Sequence, residues 1–353
     1  MELKDKNVLL IMPNFYSLKS EIESELIKQG AHVTYIESRV YKEDFWLYKT
    51  LMSFIYFIIN PLYKVNATRK ALNQIKSCNY DYLFAVGVYG FSDKLISTIR
   101  KNNSNIKTIY YHWDAFVTWD NSKYIDKFDV NYTFDIVDYN NHKCRDMKYL
   151  PLFYIESNDD IHYDKLYDIS SIGTIGMMYK DRISLVGKII EISQNRYKTF
   201  FWFYVSELNS SFFKRRNFKN RVKNLLNYAL NKTFRTFIIR MKNCDNKFMF
   251  DKKISAEECK VIEASSKAIL DVNIDNAGCA YRIISALSRR IKVITTNKYI
   301  VNEAFYSPNN ICIIDRENPI IDEYFLNSNF EDVDITQLRI DNWLRSIFSD
   351  STL

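Results

Sequence analysis

Four places along the chain put glycine, threonine, arginine, histidine or aspartate at the end of a short apolar run. Gly173 and Thr174 close the run DISSIGT, and Arg182 follows after a loop. Glycine lets backbone N–H groups approach an anion closely, and a guanidinium grips phosphate through a two-pronged fork. The run ILDVNI leads into a polar segment with Gly278, and a helix-like stretch carrying Arg282 follows. A helix N-terminus behind a glycine is an anion site, so one reading seats a diphosphate against Gly278 within reach of Arg282. The other reading is a simple strand-to-helix turn. His112 and Asp114 end the run TIYYHWD, two residues apart, and share a face if the strand continues. Either could take a proton from an acceptor hydroxyl. Alternatively His112 is packed among Tyr110, Tyr111 and Trp113, and Asp114 caps a following helix. The fourth run end, with Gly87 and Tyr89, reads as an acceptor-side loop or as an ordinary turn.

Other chemistries leave no mark. There is no phosphate-binding loop of the Walker type, no G-x-G-x-x-G after the first apolar run, no nucleophile elbow and no zinc-binding helix. The one D-x-D, Asp332-Val333-Asp334, lies in a polar stretch near the C-terminus rather than after a central strand, and reads as surface charge. No metal ligands are expected.

The elements that must hold these residues read as alternating strands and helices. NVLLIMPN is an apolar run of the kind that forms a buried parallel strand. Residues 17–28 read as a helix with Gly30 as its C-terminal cap. Further strands are expected in AHVTYIE, YDYLFAVGVYG, KTIYYHWD, VNYTFD and KYLPLFYI, the last interrupted by Pro151. The polar stretch SNDDIHYDK, residues 157–165, reads as a linker. A second series then runs through YDISSIGTIG, TFFWFYVS, AILDVNI, IKVITTN and NICIIDR, and QLRIDNWLRSIF reads as an amphipathic final helix. The alternation predicts an α/β fold with parallel sheets, whose ligands bind beyond the carboxyl ends of the strands.

Composition narrows the class. A chain of 353 residues with 47% hydrophobic and 26% charged residues fits a globular protein of two ordinary domains. The opening residues lack a cleavage pattern and the six cysteines form no C-x-x-C pair, which points to a reducing cytoplasm. The net charge of +7 is uneven: no acid occurs between Glu207 and Asp245, where ten Lys and Arg interleave with apolar residues. That stretch is a solvated helical face or a basic surface for anionic lipid or carbohydrate. No nucleic-acid-binding motif accompanies the charge, so nucleic acid is not an expected partner. The aromatic stretch FWLYKTLMSFIYFIINPLYK, residues 45–64, is too short in its apolar part to span a bilayer but suits a headgroup boundary. Nothing in the sequence specifies an oligomeric state.

In their order and spacing, the segments YDYLFAVGVYG, KTIYYHWDAF, TFDIVD, YLPLFY, DISSIGTIGMMYKDR, ILDVNIDNAGCAYRIISALSRRIKVITTN and FYSPNNICIIDRENP resemble bacterial GT-B glycosyltransferases. The likeness is to the capsule, O-antigen and lipopolysaccharide type, distantly CgeB-like, and runs collinearly over nearly the whole chain. It implies two Rossmann-like domains facing across a cleft. Residues 1–156 would form the acceptor-side domain, 166–328 the donor domain, and 329–353 a C-terminal helix returning to the first. It implies a nucleotide diphosphate sugar as donor, a lipid-linked or oligosaccharide acceptor, no cofactor and no metal. Such an enzyme would work in the cytoplasm, peripheral at the inner membrane face. Carried over residue by residue, Gly173, Thr174 and Arg182 match a G-T-loop-R segment near the diphosphate. Gly278 and Arg282 match a G-x-x-x-R segment, and Thr295, Thr296 and Asn297 a T-x-N segment. Asp114 matches the aspartate of a Y-x-W-D segment, with His112 the second candidate base. One departure stands out: Ser285 occupies the place of the glutamate that binds ribose in the family, and a serine hydroxyl bonds ribose without charge assistance.

Overall fold

The computed structural model describes residues 3–15, 17–38, 69, 71–75, 79–88, 93–156, 163–175, 180–193, 196–205, 235, 239, 248–273 and 276–349. Among them the first series of elements is β1 (Asn7–Met12), α1 (Leu18–Lys28), β2 (His32–Glu37), β3 (Tyr82–Val86), α2 (Asp93–Asn102), β4 (Lys107–His112), β5 (Val130–Thr133), α3 (Ile136–His142) and β6 (Met147–Tyr149). A second series follows. It comprises β7 (Tyr167–Thr174), α4 (Lys180–Ser193), β8 (Thr199–Tyr204), β9 (Met249–Phe250), α5 (Ala256–Ala264), β10 (Ser266–Asp271), α6 (Tyr281–Ser288), β11 (Lys292–Thr295), β12 (Ile311–Ile313) and α7 (Glu323–Asn327). The helix α8 (Ile340–Ser349) ends the described chain.

The chain divides into two compact units. The first holds Met1–Glu156, Asp275–Tyr281 and Ile335–Leu353, and the second holds Ser157–Ile274 and Arg282–Asp334. Each is built on one wholly parallel sheet. The order is β2-β1-β3-β4-β5-β6 in the first unit and β12-β11-β10-β7-β8-β9 in the second. The apolar runs of β1, β3 and β4 are buried along almost their whole length, as a sheet covered on both faces requires. Successive strands build outward in one direction and then the chain returns to the other side of the first strand. That reversal falls between β1 and β3 in the first sheet and between β7 and β10 in the second.

Local chemistry sets the element ends. Gly30, at φ +96°, completes a paired C-terminal cap on α1: its N–H bonds Ile27 O and the N–H of Ala31 bonds Leu26 O. The strand expected over KYLPLFYI stops at Tyr149, because Pro151 has no N–H for the ladder. Pairing resumes only as a bridge between Tyr154 and Arg339. The two-residue strand β9 had no counterpart among the sequence expectations, being too short to show a period. In the second unit the buried ammonium of Lys292 donates to the carbonyls of Phe325 and Ser328 and to the Ser328 hydroxyl, closing the C-terminal end of α7.

The last helix is a core element of the first unit. Its apolar stripe buries Ile340, Trp343, Leu344, Ile347 and Phe348. The indole of Trp343 meets Tyr111 and Phe153 at 4.7 and 4.8 Å between ring centroids and donates to Pro151 O at 3.0 Å. Phe348 meets Tyr82 and Phe84 edge-on. Just before the helix, the Arg339 guanidinium forks onto Asp341 with bonds of 2.7 and 2.9 Å. Truncating a buried tryptophan costs about 3–5 kcal/mol. Trp343→Ala should therefore lose roughly that amount from the unfolding transition that hydrogen exchange assigns to β3 and β4. A loss below about 1 kcal/mol would mean that α8 is not part of this core.

Candidate functional site

In a parallel sheet all strands end on one edge, and ligands bind beyond that edge where the strand order reverses. The second unit carries most of the polar residues singled out from the sequence along its edge. Gly173 and Thr174 end β7 at the reversal point. Arg282 lies in the first turn of α6, which begins at Tyr281. Its Nη2 stands 3.7 Å from the point that a Cβ on Gly173 would occupy. Glycine thus leaves the end of β7 open beneath the guanidinium. Among the described residues this half-buried guanidinium has neither a hydrogen bond nor an ion pair, although arginine is costly to hold without a partner. The chain brings a charge and an open strand end together and leaves the charge uncommitted. That is what an anion site needs.

The remaining residues of this edge are engaged with one another. Thr295 Oγ1 contacts Asp271 Oδ2 at 3.4 Å, and Thr296 Oγ1 accepts the N–H of Asn273 at 3.0 Å. Asn297 caps the short turn after β11 by accepting from Tyr299 N at 3.0 Å. These three side chains fix the ends of β10 and β11. Arg316, just past β12, donates to Asn273 O and brings a second guanidinium to the same edge. Arg316 is not among the residues singled out from the sequence, where its signal is the cation ending the run IIDR. Ser285 is half-buried on α6, and its carbonyl accepts from Ser288 Oγ and Arg289 Nε. Arg182 lies in the first turn of α4, with its side chain outside the described residues, as is Tyr89.

The first unit holds the other candidates. Strand β4 ends at His112, so Asp114 lies beyond it and does not share a strand face with His112. Asp114 caps no helix: residues 115–119 form a turn, the next helical turn starts only at Ser122, and Asp114 is partly exposed. His112 is 1% exposed, with Tyr110 at 3.9 Å and Phe116 edge-on at 5.1 Å between ring centroids. Neither of its ring nitrogens is hydrogen bonded among the described residues, and burial holds the imidazole neutral, its pKa pulled down to about 3. The packed reading of His112 describes its geometry. Gly87, at φ +51°, ends β3 against the indole of Trp113, where an added Cβ would stand 1.8 Å from Nε1.

Gly278 has a packing explanation. It belongs to the first unit, and a Cβ there would enter the ring of Phe134 at 2.2 Å. The same segment is held by Asp135, which caps α3 through Val137 N and Asp138 N and accepts Ala277 N at 2.7 Å. Three residues on, Asp138 accepts the N–H of Phe116 at 2.8 Å and so ties down the turn that carries Asp114. Burial pushes the Asp138 carboxyl up to about 6; the Phe116 N–H pulls the other way, and the nearby Asp135 and Asp120 carboxylates add to the rise. Asp138 was missed from the sequence, where TFDIVD shows a helix start but not the burial. Among the described residues no cluster of His, Cys, Asp or Glu comes together as a metal site, and no helix is long and apolar enough to cross a membrane.

No protein-family model matches the chain, and no curated protein matches it in sequence. Solved structures do. An α,α-trehalose-phosphate synthase (UDP-forming) from Burkholderia xenovorans, in complex with glucose-6-phosphate, is similar at 9% identity over 98% of this chain and 100% of that one, with a TM-score of 0.60. The E. coli trehalose-6-phosphate structure bound with UDP-2-fluoro glucose gives 9% identity, 98% of each chain and a TM-score of 0.60. The UDP-GlcNAc 2-epimerase of Methanocaldococcus jannaschii, in complex with UDP-GlcNAc and UDP, gives 11% identity, 98% and 99% coverage and a TM-score of 0.53. At such identities the likeness is one of fold. The chain has the GT-B fold, with two Rossmann-like α/β domains.

Asp138 provides a test of the first unit's electrostatics. Its folded pKa of about 6 lies above the ordinary carboxylate value of 3.8. The stability it contributes is therefore complete below the unfolded value and is lost as pH rises through about 6. A shift of some two pKa units corresponds to roughly 3 kcal/mol. Asp138→Asn removes this dependence, so its stability relative to the wild type should rise by up to about 3 kcal/mol between pH 4 and pH 7.5. A difference that stays flat over that range in urea titrations would show that Asp138 ionises as an ordinary surface carboxylate.

Proposed function

We propose that the protein is a GT-B glycosyltransferase that moves a sugar from a nucleotide diphosphate donor to an acceptor hydroxyl. The observation that carries the reading is the Arg282 guanidinium, unpaired among the described residues, over the open end of β7 at the reversal point of the second sheet. A departing nucleotide diphosphate builds negative charge in the transition state, and a fixed cation in a half-buried place stabilises it. Arg282 takes that role with Arg182, and the first backbone N–H groups of α6 add to it. The leaving group's charge is met by arginine, so the reading needs no metal. Asp114, on the turn held by Asp138, takes the acceptor proton. The fold likeness supports the same donor class, since the similar structures include proteins bound to UDP-2-fluoro glucose, UDP-GlcNAc and UDP.

A finer reading rests on the collinear segments described above: an acceptor that is lipid-linked or an oligosaccharide, used in capsule, O-antigen or lipopolysaccharide assembly in the cytoplasm at the inner membrane face. Residues 45–64, and 214–242 apart from Arg235 and Ile239, which would meet that membrane, lie outside the described residues. Ser285 favours a second reading, a non-catalytic sugar-nucleotide-binding protein, because it supplies no carboxylate to the ribose. Turnover of a nucleotide sugar separates the two readings.

Calorimetry against UDP, GDP, dTDP and CMP and their sugars tests the donor site. One nucleotide should bind, and Arg282→Ala should weaken it by about 1.5–3 kcal/mol, the range for hydrogen bonds to charged groups. Arg182→Ala should do the same. Affinity unchanged in both folded variants would remove the diphosphate role.

A further inference from the structure

Two large aromatic side chains at the carboxyl edge of the first sheet are partly exposed. Phe15, in the connection after β1, is 41% exposed, and Trp113, directly after β4, is partly exposed. Their rings meet at 5.8 Å between centroids, inclined by 61°. Other aromatics of this unit, among them Phe84, Tyr110, Tyr111, Phe153, Trp343 and Phe348, are fully buried. The position is also particular. β1 and β3 flank the point where the strand order reverses, and Trp113 lies against Gly87 at the end of β3. Gly87 allows this only as glycine, on two counts: its φ is +51°, and any Cβ would enter the indole. The backbone is shaped around the ring. Among the described residues the indole N–H has no hydrogen-bond acceptor.

We propose that Trp113 and Phe15 form a stacking platform for the pyranose ring of a saccharide acceptor, which makes them specificity-determining residues for the sugar next to the transfer site. This rests on the transferase reading above. A pyranose presents axial C–H bonds on its ring face and hydroxyls around its rim. The electron-rich face of an indole suits the first, and carboxylates and an indole N–H suit the second. Both are here. Asp114 is the chain neighbour of Trp113, and Glu37 accepts the N–H of Asn14 at 2.8 Å, beside Phe15. An acyl or polyprenyl chain would gain from the rings but would lie against the Asp114 and Glu37 carboxylates, whose charge is costly to cover with apolar groups. The surface therefore selects the saccharide part of an acceptor rather than its lipid part.

Saturation-transfer NMR on the full chain, with the nucleotide that binds present in excess, tests this. The probes are methyl β-glucoside, methyl β-galactoside, methyl α-mannoside and methyl N-acetyl-β-glucosaminide. At least one should receive saturation, strongest on its axial ring protons. Trp113→Ala should reduce it at least fivefold, Phe15→Ala should reduce it less, and Trp113→Phe should retain most of it. Nucleotide affinity should stay within twofold of the wild type in all three variants, which also shows that they are folded. If the wild type binds nucleotide but saturates none of the probes, or if Trp113→Ala leaves saturation unchanged, the platform is wrong and the donor reading stands. If a pyranoside is saturated on its axial protons in a Trp113-dependent way but no nucleotide binds, the platform stands and the transferase reading falls. If the wild type binds neither, both fall.

Discussion

Parallel pairing forces every strand of a sheet to end on the same edge, and the rest of this molecule follows from that constraint. Each unit repeats it with six described strands, and in each the strand order reverses once, leaving the ends of two central strands uncovered by their own connections. At both reversal points a glycine stands at the strand end, Gly173 as the last residue but one of β7 and Gly87 directly after β3. What lies over them differs. Over Gly173 stands a guanidinium with no partner among the described residues, and over Gly87 an indole that is open to solvent on part of its surface. On the reading proposed above, the charged edge would meet the diphosphate of a donor and the aromatic edge the sugar ring of an acceptor.

Rigidity at these edges comes from aspartates that hold backbone rather than from side-chain ion pairs. Asp135 accepts three N–H groups, two from the start of α3 and one from Ala277. Asp138 holds the turn after β4 through Phe116 N. On the second sheet Thr295, Thr296 and Asn297 do the same for the ends of β10 and β11, accepting the N–H groups of Asn297, Asn273 and Tyr299. A carboxylate or hydroxyl bonded to backbone fixes a loop without engaging the Arg282 guanidinium, which has no partner among the described residues.

Much of the fold was legible in the sequence because buried parallel strands are short apolar runs with little else they could become. NVLLIM, KTIYYH and the strand inside AILDVNI declare themselves, as does the glycine that ends α1. Polar strand ends were legible for the same reason. What those polar residues touch was not. Gly278 reads as a phosphate glycine or a turn, and only its contact with Phe134, 144 positions away, gives its reason. His112 and Asp114 read as a pair on one strand face until the strand is seen to stop at His112. Asp138 and Arg316 went unnoticed, since burial of the first and reach of the second depend on segments far off in the chain.

The central claim is that a nucleotide diphosphate sits at the end of β7 beneath Arg282. A crystal structure of the full chain with the nucleotide that binds most tightly tests it most directly. The account predicts density for both phosphates beside the Gly173 backbone, with Arg282 bonded to a phosphate oxygen. Phosphates seated elsewhere, with the Arg282 guanidinium still without a partner, would contradict it.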